Sequence, residues 1–375
     1  MKKIQMVDLK SQYLDIKEDI DYSIQQVLDH TSFINGPQVT TFKKNLEDYL
    51  QVKHVIPCGN GTDALQISLM ALGLRPGDEV ITVDFTFAAT VEVIKLLGLT
   101  PVLIDVEIDS FNMSISALER AITPNTKAIV PVHLFGQCAN MEAILNLAKK
   151  HRIHVIEDTA QALGAEYIFE DGTTKKAGTM GTIGTTSFFP SKNLGCYGDG
   201  GAMFTNDDEL AVKLKGISNH GMSQKYYYDV VGINSRLDSI QANILNTKLP
   251  YLNIYNKKRQ QAATFYNRAF TDIDSLITPT TSTFSNHVFH QYTLRITNGK
   301  RDELHEYLKS QNIPNAIYYP VPLHTQKAYA QEYRDEGNYI NTNTLVQQVI
   351  SLPMHTALEL EQLEFITKTI LTYLK

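Results

Sequence analysis

Short apolar runs recur through the first two hundred residues, at 54–58, 80–83, 102–106, 128–134, 154–158, 185–189 and 202–206. The first five alternate with amphipathic, helix-length stretches such as 62–72 and 141–151, a pattern that predicts parallel strands joined by crossover helices. The last two follow each other with only a loop between. Together they predict one large, mostly parallel sheet of seven strands in an α/β unit. From 249 to 270 the chain reads as a long helix with a polar face. After it the texture changes to a strand at 291–296, a helix at 302–310 and terminal helices. A boundary near residue 250 therefore divides a large unit, 1–250 with its N-terminal segment, from a smaller α+β unit, 251–375. No repeat or low-complexity tract interrupts either part.

Composition narrows the class. The 375 residues are 43% hydrophobic and 20% charged, with a net charge of -6, which argues against a nucleic acid or an acidic membrane surface as the main partner. No apolar run approaches the roughly 20 residues that span a bilayer, and the basic pair at Lys2 and Lys3 is followed by no apolar stretch, so neither an anchor nor a signal peptide is read. Cys58, Cys138 and Cys196 are three, with no Cys-x-x-Cys spacing. That excludes a disulfide framework and a thiolate zinc site and fits a reducing cytoplasm; no metal is expected.

Three segments carry candidate chemistry. The strand at 54–58 runs into Gly59-Asn-Gly-Thr-Asp-Ala64 and then a helix, so amides at a helix N-terminus, with the Thr62 hydroxyl, can receive a phosphate. The same segment matches Gly-x-Gly-x-x-Ala, with Asp78, Glu79 or Asp84 near the distance of a ribose-binding acid, which keeps a nicotinamide-dependent dehydrogenase open; a glycine-rich cap without ligand is the third reading. The strand at 154–158 ends in Glu157 and Asp158. Ligands of open α/β sheets bind at the carboxyl ends of strands, so Asp158 is placed either to pair with a protonated ring nitrogen or to cap a following helix. Gln161, three residues on, can donate to a ring oxygen, and Glu157 reads as structural. Finally, Lys192 lies in Ser187-Phe-Phe-Pro-Ser-Lys192-Asn-Leu-Gly-Cys-Tyr-Gly-Asp-Gly-Gly-Ala202, between an apolar strand and a glycine-rich turn. An amine crowded there has its pKa lowered and can form a Schiff base with an aldehyde cofactor or a ketone substrate.

With Gly61-Thr62, Asp158, Gln161, Ser187 and Lys192 in this order, the chain resembles the DegT family of pyridoxal-phosphate-dependent sugar-nucleotide aminotransferases. Asn60-Gly-Thr-Asp-Ala-Leu65, Pro76-Gly-Asp-Glu-Val80, Phe85-Thr-Phe87, Glu157-Asp-Thr-Ala-Gln161, Gly198-Asp-Gly-Gly201 and Gly232-Ile-Asn-Ser-Arg236 carry the likeness over nearly the whole chain. The resemblance implies the type I aminotransferase fold and a cytoplasmic homodimer with active sites at the subunit interface. It implies that Lys192 bonds the cofactor, Asp158 pairs with the pyridine nitrogen and Gln161 approaches the ring oxygen. Thr62, the Asp63 amide beside Gly61, and Ser187 would hold the phosphate, Phe87 would stack on the ring, and Asn234 would reach the phosphate in the neighbouring subunit. Some members of the family carry histidine in place of the lysine and act as dehydratases; Lys192 argues against that chemistry.

The implied reaction moves an amine from an amino acid, expected to be glutamate, to a keto-sugar nucleotide, with Lys192 also shuttling a proton. Gly136-Gln-Cys-Ala139, Asn234-Ser-Arg-Leu-Asp238 and Ser351-Leu-Pro-Met-His355 are similar to family members acting on UDP-2-acetamido-2-deoxy-3-oxo-glucuronate in bacterial surface polysaccharide (O-antigen type) biosynthesis. Arg236 is the candidate partner of such a carboxylate, with an ion pair to Asp238 as its plain alternative. Asn35, Tyr319 and His324 are further substrate candidates, His324 equally a loop histidine. A 4-keto-6-deoxy sugar nucleotide is the alternative acceptor. A non-catalytic, cofactor-binding regulator of transcription is a reading from another class, against which stands the lack of a basic DNA-binding module.

Overall fold

The computed structural model describes residues 2–329 and 339–374. Its centre is a seven-stranded sheet built from β1 (His54–Cys58), β2 (Glu79–Val83), β3 (Thr100–Ile104), β4 (Thr126–Val130), β5 (His154–Asp158), β6 (Ile183–Ser187) and β7 (Gly201–Thr205). The spatial order is β1-β7-β6-β5-β4-β2-β3. From β6 to β3 every neighbouring pair is parallel, while β7 runs antiparallel to both β6 and β1. β2 and β7 are wholly buried, as strands covered on both faces must be, which is why the runs read as continuously apolar rather than alternating.

The strands expected at 102–106, 128–134 and 185–189 each begin about two residues earlier than read. The strand expected at 128–134 also ends early, and Pro131 accounts for that. It has no amide to give the ladder, so β4 ends at Val130 and the chain turns instead through Leu134–Gly136, with Phe135 at φ 57.

Helices cover the sheet. α1 (Lys17–His30) and α2 (Pro37–Leu50) precede it; α3 (Gly61–Ala71), α4 (Ala89–Leu96), α5 (Met141–His151) and α6 (Asp208–Ile217) flank it. α7 (Ser239–Lys248) ends in a tight turn, Leu249–Tyr251, whose Pro250 sits where a missing amide costs no helical bond, and α8 (Leu252–Ala269) continues from there. A second core gathers Tyr266, Phe270, Tyr292, Leu294, Leu304, Ile366 and Ile370. It packs the three-stranded sheet of β8 (Leu276–Ile277), β9 (Tyr292–Ile296) and β10 (Val349–Leu352) against α8, α9 (Arg301–Ser310) and α11 (Leu360–Leu374), while α10 (Ile340–Gln348) sends Leu345 and Val346 into the core of the large sheet. The N-terminal strand-like segment also joins the second core: Ile4 is buried in it, and the Met6 carbonyl accepts from the Met354 amide.

Candidate active site

Sheet register builds one rim. Cys58 pairs with Gly201 across β1 and β7, and Gly201 with Ser187 across β7 and β6, so three strand ends lie side by side. α3 starts immediately beyond, capped by Asn60, whose side chain accepts from the Asp63 amide at 2.8 Å. A Cβ on Gly61 would lie 2.7 Å from Ser187 Cβ, and one on Gly201 would lie 2.4 Å from the Asn60 carbonyl. Glycine at both positions is therefore what lets the helix start close onto the strand ends. Because Asn60 already takes the Asp63 amide, the first-turn donors left for an anion are the amides of Gly61 and Thr62, with the Thr62 side chain. Ser187 Oγ accepts from the Phe189 amide at 3.2 Å and keeps its own hydrogen to donate. Below the rim, Ser235 donates to the Asp63 carboxylate at 2.6 Å and accepts from the Gly59 amide at 2.8 Å, which ties the segment carrying Asn234 and Arg236 to this corner.

Asp158 is buried at the end of β5, next to Thr185 of β6. No helix follows it, so the helix-cap alternative does not apply. One carboxylate oxygen accepts from the Ala160 amide at 3.1 Å and the other from the Thr90 hydroxyl at 3.0 Å, which fixes the group and leaves acceptor capacity on both oxygens. Thr90, in the first turn of α4, carried no signal in the sequence beyond its place after Phe87. Gln161 is oriented without ambiguity. Its Oε1 accepts from the Phe135 amide at 2.7 Å, a group that can only donate, so Nε2 faces the other way, toward Tyr319 Oη at 3.3 Å, with one N–H to spare. Burial pushes the Tyr319 phenol up, keeping it protonated, and its ring meets Phe85 edge to face at 5.9 Å. Glu157 is structural as expected. Fully buried, it accepts from the amides of Gly178, Met180 and Gly181 and faces His133 Nε2 at 3.0 Å.

Lys192 sits in the loop that turns β6 back into antiparallel β7. The loop is closed by Lys192 N–H to the Phe189 carbonyl and Cys196 N–H to the Phe188 carbonyl, both 2.8 Å. Loss of hydration lowers the Lys192 amine to about 8, against the pull of the Asp158 carboxylate toward the charged form. The neighbouring His290 is held well below its usual range, first by burial and then by the charges of Lys192 and Arg259, so it faces the amine as a neutral ring.

Phe87 is 60% exposed, which removes the core reading of that ring and leaves an aromatic face open beside α4. His324 is committed: its amide and Nδ1 both reach the Asp84 carboxylate at 2.7 Å, and its ring stacks on Tyr339 at 4.2 Å. Arg236 makes no ion pair with Asp238; among the described residues its side chain has one long contact, to Asn219 Oδ1 at 3.5 Å. Asn35, with φ 52, and Asn234, bridged through its backbone to Asn219, are both exposed, and no contact joins either to the Lys192 cluster among the described residues. The arrangement suits a flat, phosphorylated ring: amides and hydroxyls for the phosphate, a buried carboxylate for a ring cation, an amide donor for a ring oxygen, and an amine with a lowered pKa for an aldehyde. Among the described residues no cluster could hold a metal and no helix is long and apolar enough to cross a membrane.

Comparison with known proteins is consistent with that geometry. The model of the DegT/DnrJ/EryC1/StrS aminotransferase family matches residues 14–371. The chain is 45% identical to UDP-2-acetamido-2-deoxy-3-oxo-D-glucuronate aminotransferase of Pseudomonas aeruginosa, over 97% of this chain and 98% of that one. It is 44% identical to a pleiotropic regulatory protein of Geobacillus stearothermophilus, over 98% and 97% of the two chains. Among solved structures, NtdA from Bacillus subtilis with bound cofactor PMP superposes with a TM-score of 0.90 at 31% identity, covering 100% of this chain and 86% of that one.

Proposed function

The chain belongs to the DegT/DnrJ/EryC1/StrS aminotransferase family, and from that premise we propose that it is a pyridoxal-phosphate-dependent enzyme that moves the amine of glutamate to a 3-keto sugar nucleotide bearing a carboxylate, of the kind UDP-2-acetamido-2-deoxy-3-oxo-glucuronate represents. The family sets aside the dehydrogenase reading of the glycine loop, and the enzyme is a sugar aminotransferase. The observation that carries the cofactor is the Lys192 amine, lowered to about 8, near enough to buried Asp158 to feel its charge, with the glycine-cleared amides of α3 at the strand ends.

Bound there, pyridoxal phosphate supplies an aldehyde that carries the amine and a ring that withdraws electrons from the reacting carbon. The residues do the rest. Gly61, Thr62 and Ser187 would anchor the phosphate, and Phe87, whose ring is exposed, would stack on the cofactor. Asp158, oriented by Thr90, keeps the ring nitrogen protonated, and the spare N–H of Gln161 holds the ring oxygen. Lys192, its amine lowered to about 8 by burial, would bond the aldehyde and would hold and move the proton at the reacting carbon.

The acceptor rests on Arg236. A half-buried guanidinium without a carboxylate partner among the described residues is suited to bind one in bidentate fashion from the substrate. Asn35, Asn234 and Tyr319 complete the substrate and phosphate contacts in a homodimer whose exposed Asn234 serves the neighbouring copy. His324, fixed by its amide and Nδ1 on Asp84, is a further substrate contact. The product would feed a bacterial surface polysaccharide. A panel of keto-sugar nucleotides with glutamate as donor, read by product mass, tests this: turnover restricted to 4-keto-6-deoxy sugars would replace the acceptor, and sedimentation of an active monomer would remove the shared site.

A further inference from the structure

Lys248 is a second amine withdrawn from water close to Lys192. It ends α7 and is 1% exposed, and no carboxylate among the described residues pairs with it. Its Nζ donates instead to the Gly195 carbonyl at 2.5 Å and lies 5.3 Å from the centre of the Tyr197 ring. Burying an ammonium without a counter-ion is costly, and helix packing alone would be served by an apolar side chain of the same length. The expense points to the contact it makes.

That contact falls on the Lys192 loop. Gly195 is folded so closely over Pro190 that a Cβ on it would lie 2.3 Å from the Pro190 carbonyl oxygen, and the loop is shut by the bonds from Lys192 to Phe189 and from Cys196 to Phe188. A shift of the Gly195 peptide therefore cannot be absorbed within the loop. From the other side Asn193, buried beside Lys192, donates to Asn256 Oδ1 of α8 at 2.7 Å and to the Val288 carbonyl at 3.2 Å. The residues flanking Lys192 are thus held by two points on consecutive helices, one a side-chain amide and the other an ammonium.

We propose that Lys248 is a positioning residue for the reaction: by holding the Gly195 carbonyl it aims Lys192 Nζ at the aldehyde carbon of the bound cofactor, where the carbon–nitrogen double bond forms with loss of one water. The inference rests on Lys192 being the amine that bonds the cofactor. It separates two properties that a general weakening of the fold would change together, namely how well the pocket holds the cofactor's ring and phosphate and how readily Lys192 reaches its aldehyde.

The full-length protein with Lys248→Met is compared with the unaltered protein for binding of pyridoxal phosphate, which can bond Lys192, and pyridoxamine phosphate, which cannot. The expected result is at least a tenfold loss of pyridoxal phosphate affinity and of the borohydride-fixed fraction mapped to Lys192, with pyridoxamine phosphate affinity within about threefold and a single melting transition kept. Equal loss for both compounds, or loss for neither, overturns the proposal. Should Lys248→Met not fold, Lys248→Arg, which keeps charge and donor but misplaces them, must give the same split at smaller size, and an unsplit result overturns it equally. If borohydride fixes the cofactor elsewhere in the unaltered protein, the assignment of Lys192 itself fails, which peptide mapping tells apart from a failure at Lys248.

Discussion

Glu157 and Asp158 are consecutive on β5, so their carboxylates face opposite sides of the sheet, and the two sides use them differently. Glu157 is saturated by three backbone amides and His133, whereas Asp158 keeps acceptor capacity beyond Thr90 and Ala160. Asp158→Asn should therefore leave the melting temperature near normal and lower kcat on the order of 10² to 10³, as loss of a preorganised charge does elsewhere. Glu157→Gln should do the reverse. Whichever way the amide is turned, it sets a donor against the Gly178 amide or against those of Met180 and Gly181, and it should cost about 3 kcal/mol of stability, seen as a lowered Tm. Equal effects on Tm and kcat in both variants would contradict the division.

Thr90→Val keeps the shape of the Thr90 side chain and deletes its bond to Asp158. Hydrogen bonds to charged groups contribute about 1.5 to 3 kcal/mol, so kcat should fall roughly tenfold or more, with little change in KM for the sugar. Steady-state kinetics on both substrates checks the split.

Lys192→Ala should abolish borohydride fixation of the cofactor and amine transfer from glutamate. In the cofactor-free protein, acylation of Lys192 followed by mass spectrometry should show a midpoint near pH 8, while exposed lysines react only at higher pH. The stability sign follows from the same shift. The folded pKa lies below that of the unfolded chain, so between about pH 8 and 10.5 the unfolded chain binds more protons and stability rises with pH; below that window the cost is fully present. A Lys192 midpoint above 10 would remove the desolvated amine.

Gly201→Ala places a Cβ 2.4 Å from the Asn60 carbonyl and must push α3 off the strand ends. Overpacking of this kind costs about 1 to 3 kcal/mol. Here it should appear as weaker retention of both phosphorylated cofactor forms and weaker competition by inorganic phosphate, measured by dialysis, with a lowered Tm.

Arg236→Ala should raise KM about tenfold to hundredfold for a carboxylated acceptor, the worth of a charged hydrogen-bonded pair, and leave a neutral sugar acceptor unaffected. Equal loss on both acceptors would make Arg236 structural.

The strands were legible because β2, β4 and β7 are buried short runs that no helix period fits, and their ends were not, because pairing with neighbours, or a proline such as Pro131, decides where a ladder stops. In the candidate site, Gly61, Asp158, Gln161, Ser187 and Lys192 stand in compact motifs, which is why local sequence brings them to notice. Thr90 and Lys248 act across the fold, through Asp158 and Gly195, and nothing beside them in the chain announces it; Ser235 stands in the Gly232–Arg236 motif, yet its bond to Asp63 is visible only in the fold. Lys248, in particular, closes a helix whose spacing reads as an ordinary solvated end; only its burial distinguishes it. The Asp63 amide, expected on the phosphate, donates to the Asn60 side chain, a contact that the sequence reading did not include.

The seating of Ile4 in the second core, with the Met6 carbonyl bonded to the Met354 amide, also bears on how the chain is made. Ile4 precedes every strand of the large sheet yet packs with residues from 262 onward, so its core closes only after all seven of those strands have been made. The large unit is thus free to fold first, with the N-terminal segment waiting unpaired until β10 arrives. Fusions or deletions at the start of the chain should then slow the final docking step rather than assembly of the sheet.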